Sequence, residues 1–331
     1  MPSTPDHWHR VGPVALALLP LSIVYAAVTA CRRALYRAGL LRTIRLPVPV
    51  IVVGNITAGG TGKTPLVLWL AASLVREGFR PGIVTRGYGA ANAGPALVSP
   101  TGEPGLDGDE PVLLARRGAC PVWRGTDRVA AARALLAANP DRDVIISDDG
   151  LQHYRLARDV EIALIDGASG FGNGLPIPSG PMREPVRRLA RTDLLVVKGP
   201  QRAGLALPGP AAAMSLAPGR FRNLRDPALV TDAAARRDRP LHAVAGIGRP
   251  QQFFDTLAAL GLRFRAHPFP DHHAYTAADF AFAGEETVVM TEKDAVKSTG
   301  FATTDFWALP VDAVLPEGFL DRVLERLRHG P

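Results

Sequence analysis

The stretch that most restricts the fold of this chain is residues 48–75. There the apolar run V-P-V-I-V-V (48–53) leads into the glycine-rich T-A-G-G-T-G-K-T-P (57–65) and an apolar segment ending at residue 75. A buried strand, a glycine turn and a helix with proline in its first turn occur in the order a phosphate-binding loop requires. Gly59, Gly60 and Gly62 let backbone N–H groups converge on phosphate oxygens with no Cβ in the way, and the helix N-terminus adds its dipole. The loop comprises Thr57, Ala58, Gly59, Gly60, Thr61, Gly62, Lys63 and Thr64; Lys63 is placed to reach the β/γ-phosphates and Thr64 to ligate Mg²⁺. Thr57 replaces the first glycine of the usual G-x-x-x-x-G-K-[ST] pattern, a small departure because backbone amides do most of the cradling.

Further strand-like runs occur at Pro81–Thr85, 143–147, 161–165 and 193–197, with helix-like stretches such as Arg128–Ala138 between some of them. Strands alternating with helices predict an α/β fold: a P-loop NTPase-like parallel sheet with helices on both faces. A smaller C-terminal α/β domain is expected from H-A-V-A-G-I-G (242–248), the helix-like 250–260 and the strand Thr287–Thr291. The expected organisation is a hydrophobic membrane-associated segment over 1–45, the P-loop core over 46–225 and the smaller domain over 226–331. The Pro/Ala/Gly-rich stretch 200–225 reads as a linker, and the Gly/Pro-rich 169–185 as a long functional loop.

The string D-V-I-I-S-D-D-G (143–150) ends a strand in carboxylates, the arrangement with which nucleotide enzymes hold Mg²⁺ and its water. Asp148 and Asp149 are the candidates; adjacent residues at a strand end point different ways, so one serves the metal and the other a neighbouring group, and the sequence leaves open which. Guanine selection usually needs an N-K-x-D signature. T-E-K-D (291–294) has the wrong spacing, which favours ATP. G-D-E-P (108–111) and P-D-H-H (270–273) contain groups suited to taking a hydroxyl proton, although each alone is more commonly a helix cap or a surface loop.

A net charge of +7 suits an anionic partner, and the absence of any basic stretch interleaved with aromatics argues against nucleic acid. The basic side chains are nearly all arginine; the lysines are Lys63, Lys198, Lys293 and Lys297, positions where a compact point charge is wanted. Two cysteines, Cys31 and Cys120, exclude a disulfide framework and multi-cysteine metal sites. Residues 11–31 carry no charge, and Arg32, Arg33, Arg37, Arg42 and Arg45 follow, a pattern that predicts membrane contact with the basic flank on the cytoplasmic side. Interfacial docking and true spanning remain alternatives, Pro13 and Pro20 oppose one long regular span, and arginines directly after V-T-A-C (28–31) oppose an export signal.

G-N-I-T-A-G-G-T-G-K-T-P, T-R-G-Y-G, G-D-E-P, D-D-G-L-Q-H, G-N-G-L-P-I-P-S-G-P-M-R-E-P, D-H-H and T-E-K-D-A-V-K occur in this order between residues 54 and 297. Together they resemble the tetraacyldisaccharide 4'-kinase family, whose own phosphate loop lacks the first glycine. The resemblance implies transfer of the ATP γ-phosphate to the 4'-hydroxyl of a tetraacyldisaccharide 1-phosphate, giving lipid IVA in lipid A biosynthesis, by a monomer at the cytoplasmic face of the inner membrane. By motif it assigns Asp109 as base, His272 as its partner and Glu110 as a support for metal or geometry. It further implies that Asp148 and Asp149 manage Mg²⁺, that Gln152 and His153 lie beside the phosphates, and that Arg86, Arg128 and Arg183 clamp phosphate or lipid headgroup. The competing expectation is a membrane-associated P-loop ATPase or GTPase switch that phosphorylates no acceptor.

Overall fold

The computed structural model describes residues 5–329 except 238, 285 and 304. Two apolar helices, α1 (Pro13–Ala17) and α2 (Leu19–Arg37), come first, each with proline in its first turn. A first α/β unit follows: β1 (Val50–Gly54), α3 (Lys63–Arg76), β2 (Pro81–Thr85), β3 (Ala96–Leu97), α4 (Pro104–Asp107), α5 (Asp109–Arg117), β4 (Val122–Arg124), α6 (Arg128–Ala138), β5 (Val144–Asp148), β6 (Val160–Asp166), β7 (Leu194–Lys198) and β8 (Ala211–Pro218). The second unit contains β9 (Phe221–Asn223), β10 (Val230–Thr231), β11 (Leu241–Ala245), α7 (Pro250–Ala259), β12 (Arg265–Pro268), β13 (Thr287–Thr291), α8 (Glu292–Ser298) and β14 (Phe306–Leu309). The chain then runs through β15 (Val311–Val314) and α9 (Phe319–His329).

Among the described residues the strands form a nine-stranded sheet, ordered β15-β8-β7-β6-β1-β5-β2-β4-β3, and a six-stranded sheet, ordered β10-β9-β14-β13-β11-β12. In the larger sheet the run from β8 to β4 is parallel, and β3 and β15 are antiparallel edges. Parallel strands are apolar throughout because both faces are covered. Ile51 and Val53 pack with Leu66 and Leu70 of α3 and Val112 of α5 on one face; Val50 and Val52 pack with Val129 and Leu135 of α6 on the other.

This topology gathers chemistry at one edge. β1, β2, β5, β6 and β7 end at Gly54, Thr85, Asp148, Asp166 and Lys198, and in open parallel sheets ligands bind outside these carboxyl ends. β11, β12 and β13 of the smaller sheet are parallel as well, and the segments after them face the same cleft.

Two readings of the sequence need correction. The stretch 200–225 is no linker: β8 pairs with β7 from Leu195↔Ala211 to Lys198↔Met214, and with β15 on its other side. Its alanines have little strand preference of their own, and the sheet supplies the conformation. The last part of 226–331 also leaves the smaller unit, since β15 joins the larger sheet and α9 places Phe319, Val323 and Leu324 in that sheet's core. The N-terminal apolar segment is divided between α1 and α2, and no helix among the described residues is long and apolar enough to cross a membrane.

Candidate active site

The loop after β1 has the shape its glycines predict. Gly62 has φ +82°, a left-handed conformation that strains any residue with a Cβ, and it starts α3 so that Thr64 lies in the first turn. A Cβ at Gly59 or Gly60 would meet no atom within 4 Å, so the space over these amides is open. Buried Asn55 braces the loop, donating from Nδ2 to Thr61 Oγ1 at 3.2 Å and accepting from Lys63 Nζ at 3.4 Å. Ala58 N donates to Pro181 O at 2.7 Å, which ties the phosphate loop to the 169–185 loop.

β5 carries two aspartates to this loop, and their surroundings divide them. Asp148 accepts from Thr85 Oγ1 at 3.1 Å through Oδ2, while its buried Oδ1 has no hydrogen-bond partner. Burial pushes its carboxyl up to about 6. Asp149, held at φ +48°, lies 3.2 Å from Lys63 Nζ and 3.0 Å from Arg183 Nη1. Burial raises its pKa, but Lys63 and Arg183 outweigh burial and hold it well below the ordinary carboxylate range. An orphaned carboxylate oxygen at the end of the strand paired with β1, together with a threonine in the first turn of the phosphate-loop helix, is a donor set that fits Mg²⁺, which usually takes one or two carboxylates and completes its shell with phosphate and water. No group of three or more His, Cys, Asp or Glu among the described residues forms a separate metal cage.

On the other side of the cleft, Asp109 begins α5 and His272 follows β12, and their Oδ2 and Nδ1 atoms are 2.9 Å apart. Gly108 makes the approach possible: its φ is +91°, and a Cβ there would lie 2.5 Å from Tyr88 O. His272 itself sits at φ +60°, a strained conformation for a non-glycine residue, of the kind that collects at functional sites. Burial raises the Asp109 carboxyl, but the His272 hydrogen bond and the Lys293 charge more than offset it and leave the pKa lowered. Glu110 reaches Lys293 Nζ at 3.1 Å. A cleft of about 240 Å³ runs from the phosphate loop to Glu110, Asp271 and Lys293, the neighbours of this pair, and is lined by residues of both units including Leu68, Leu216, Gln252 and Phe253.

The sequence profile described as tetraacyldisaccharide-1-P 4'-kinase matches residues 14–328. The chain belongs to the tetraacyldisaccharide 4'-kinase family. It is 53% identical over 335 residues to the tetraacyldisaccharide 4'-kinase of Azoarcus sp. strain BH72, a match covering 100% of this chain and 97% of that one. Against the Aromatoleum aromaticum protein of the same name, identity is 51% over 331 residues, with 99% and 98% covered. Among solved structures it is similar to LpxK from Aquifex aeolicus in complex with ATP, with a TM-score of 0.80, 29% identity, and 95% of this chain and 99% of that chain covered.

Within this kinase-family scaffold the remaining predicted residues fall in different places. Gln152 Nε2 donates to Asn55 O at 3.0 Å and so stands beside the phosphate loop. His153, with its pKa lowered to about 4 by burial and then by Arg128, is partly buried next to Asp127. Arg86 is exposed just after β2, and Arg183 is bound to Asp149. Arg128, expected as a clamp, is buried instead, and its guanidinium donates to the backbone carbonyls of Gly125, Asp148 and Asp149. It braces the end of β5. The sequence reading gave no role to three residues that the fold brings here: Lys198, Asp166 and Arg249. Asp166 lies 3.0 Å from Lys198 Nζ and 2.6 Å from Arg249 Nη1, so a carboxylate of the larger sheet holds an arginine of the smaller unit.

Proposed function

We propose that the chain is an ATP-dependent phosphotransferase that moves the γ-phosphate to the 4'-hydroxyl of a tetraacyldisaccharide 1-phosphate, forming lipid IVA. The observation that carries the reading is a cleft lined by the phosphate loop and by Glu110, Asp271 and Lys293, beside which an Asp-His pair drawn from the two units meets. A nucleotide switch needs the loop and has no use for the pair.

In this reading the amides of residues 58–62 and the Lys63 ammonium cradle the β/γ-phosphates, and the α3 N-terminus adds its dipole. Asp148 and Thr64 would hold Mg²⁺, which would supply charge neutralisation at the phosphates. Asp149 orients Lys63 and Arg183, which face the same phosphates. Asp109 accepts the 4'-hydroxyl proton as the phosphoryl group transfers, and His272 steadies the carboxylate. The Arg249–Asp166 ion pair and the Asp109–His272 contact hold the two units closed around the nucleotide, which excludes water as a competing acceptor.

The acceptor's acyl chains stay in a bilayer, so the enzyme must work at its surface. Val14, Leu16, Leu21, Ile23, Val24 and Val28 project exposed from α1 and α2, and the arginines after residue 31 suit anionic headgroups. The opposite side of α2 packs on the protein, with Ser22 donating to Pro176 O at 3.0 Å and Tyr25 donating to Arg183 O at 3.4 Å. We place the enzyme as a monomer on the cytoplasmic face of the inner membrane, docked through this helical face.

The test is transfer of labelled γ-phosphate from ATP to detergent-dispersed tetraacyldisaccharide 1-phosphate by wild type and Asp109→Ala. Labelled lipid from the wild type, nearly lost in the variant, is the expected result. ATP consumed with no labelled lipid would sink the kinase reading in favour of a switch.

A further inference from the structure

Lys293 sits at the start of α8 and projects into the Asp-His pair from the smaller unit. Its Nζ lies 3.1 Å from Glu110 Oε1, 3.2 Å from Asp271 Oδ1 and 3.3 Å from His272 Nε2, and 3.9 Å from Asp109 Oδ2. Burial pulls the ammonium's pKa down, but Glu110, Asp109 and Asp271 outweigh burial and hold it above the usual lysine range, so the side chain stays charged.

That charge constrains the neighbouring ring. An ammonium has three donors and no acceptor, so at 3.3 Å His272 Nε2 must offer its lone pair. A neutral imidazole with a bare Nε2 carries its proton on Nδ1, the atom 2.9 Å from Asp109 Oδ2. The opposite tautomer would point an N–H at an ammonium and a lone pair at a carboxylate, two repulsive contacts at once. We infer that Lys293 is a positioning residue that fixes the tautomer of His272, so that Nδ1–H donates to Asp109 and keeps that carboxylate aimed and ready to accept a proton.

The remaining groups around the ring fit this assignment. Asp271 Oδ1 is 3.8 Å from Nε2 and would favour a proton there, but it is engaged by Lys293 at the shorter distance of 3.2 Å. The Tyr88 ring packs on the His272 ring at 5.1 Å between centroids, tilted by 51°. Asp109 Oδ1 accepts from Glu110 N at 2.9 Å, so each carboxylate oxygen has one fixed donor and a lone pair left for the incoming proton. Without the Lys293 ammonium at Nε2, the Asp271 carboxylate 3.8 Å away favours the ring proton there, which would strip Asp109 of its donor.

The inference rests on reading Asp109 and His272 as the acceptor-side pair, and the test separates the two. Full-length protein labelled with ¹⁵N-histidine is examined by two-bond ¹H–¹⁵N correlation, with His272→Gln identifying the resonance, for wild type, Lys293→Met and Lys293→Arg. The wild type should show the Nδ1–H pattern. Lys293→Met should change to Nε2–H or to a doubly protonated ring, with kcat down by about 10- to 100-fold and KM for ATP within about threefold. Lys293→Arg, again a donor without an acceptor, should keep the Nδ1–H pattern and recover part of kcat. An Nε2–H pattern in the wild type overturns the inference, as does an Nδ1–H pattern that survives in Lys293→Met. If Lys293→Met does not fold, the wild-type and Lys293→Arg spectra still decide. Undiminished transfer by Asp109→Ala would overturn the base assignment and leave the tautomer result standing.

Discussion

Asp109 and His272 are separated by 163 residues in sequence and by 2.9 Å in space. Neither touches the phosphate loop, so losing the base should slow transfer without weakening nucleotide binding. Asp109→Asn is expected to lower kcat by about 10²- to 10⁴-fold, with KM for ATP nearly unchanged. His272→Gln, which keeps a donor in place, should lose less. Steady-state kinetics with both substrates varied checks this.

Asp149 is held by two cations, Lys63 and Arg183. Arg183→Met leaves one of them, and Lys63 then swings further onto the carboxylate and away from phosphate. The expected result is a fall in kcat/KM for ATP of about tenfold or more. An unchanged ATP dependence would show that Arg183 acts on the lipid alone.

Asp148 should trade stability for function. A carboxyl raised to about 6 in the folded protein binds its proton more tightly there than when unfolded, so its stabilising contribution is present below about pH 4 and lost as pH rises through about 6. Above that the buried, half-unpaired charge costs about 3 kcal/mol at most. Asp148→Asn in metal-free protein should therefore unfold later than wild type at pH 8, by about 1–3 kcal/mol in denaturant titrations, and equally with wild type near pH 4. Its kinase activity should be lost at every pH.

Arg249 fastens the smaller unit to the larger through Asp166 and Ser169. Arg249→Met breaks both contacts but leaves Lys198 on Asp166. Stability should drop by about 1–3 kcal/mol, and KM for ATP should rise while the KM for lipid changes less. Equal changes in both would indicate a purely structural role.

Ile23 is 62% exposed on the outer face of α2. A charge there should not disturb the fold, yet should weaken partitioning onto anionic vesicles by about 10- to 100-fold, the effect of losing one buried aliphatic side chain. Co-sedimentation with Ile23→Arg measures it, and unchanged binding would move the docking surface elsewhere.

What the sequence made legible was local. The phosphate loop, the strand-end aspartates and the helix Arg128–Ala138 are specified by neighbours in the chain, and the structure places them as read. Contacts between the units were visible only as family resemblance. Lys198 and Asp166 belong to no short motif, although each closes an apolar strand with a charge at the edge where ligands bind, a signal that was available. Arg128 was misread because an arginine's type does not reveal which way it points. β8 was misread because its strand character comes from β7 and β15 and not from its own residues.

The two sheets are joined by strands that run almost without a break from one to the other. Only residues 219–220 separate β8 from β9 and only Pro310 separates β14 from β15, and Gly219 N donates to Pro310 O at 2.9 Å where the two crossings meet. Two ribbons joined side by side resist twisting of one sheet against the other more than a single connection would. Both crossings thereby set where His272, Lys293 and Arg249 of the smaller unit stand against Asp109, Glu110 and Asp166 of the larger.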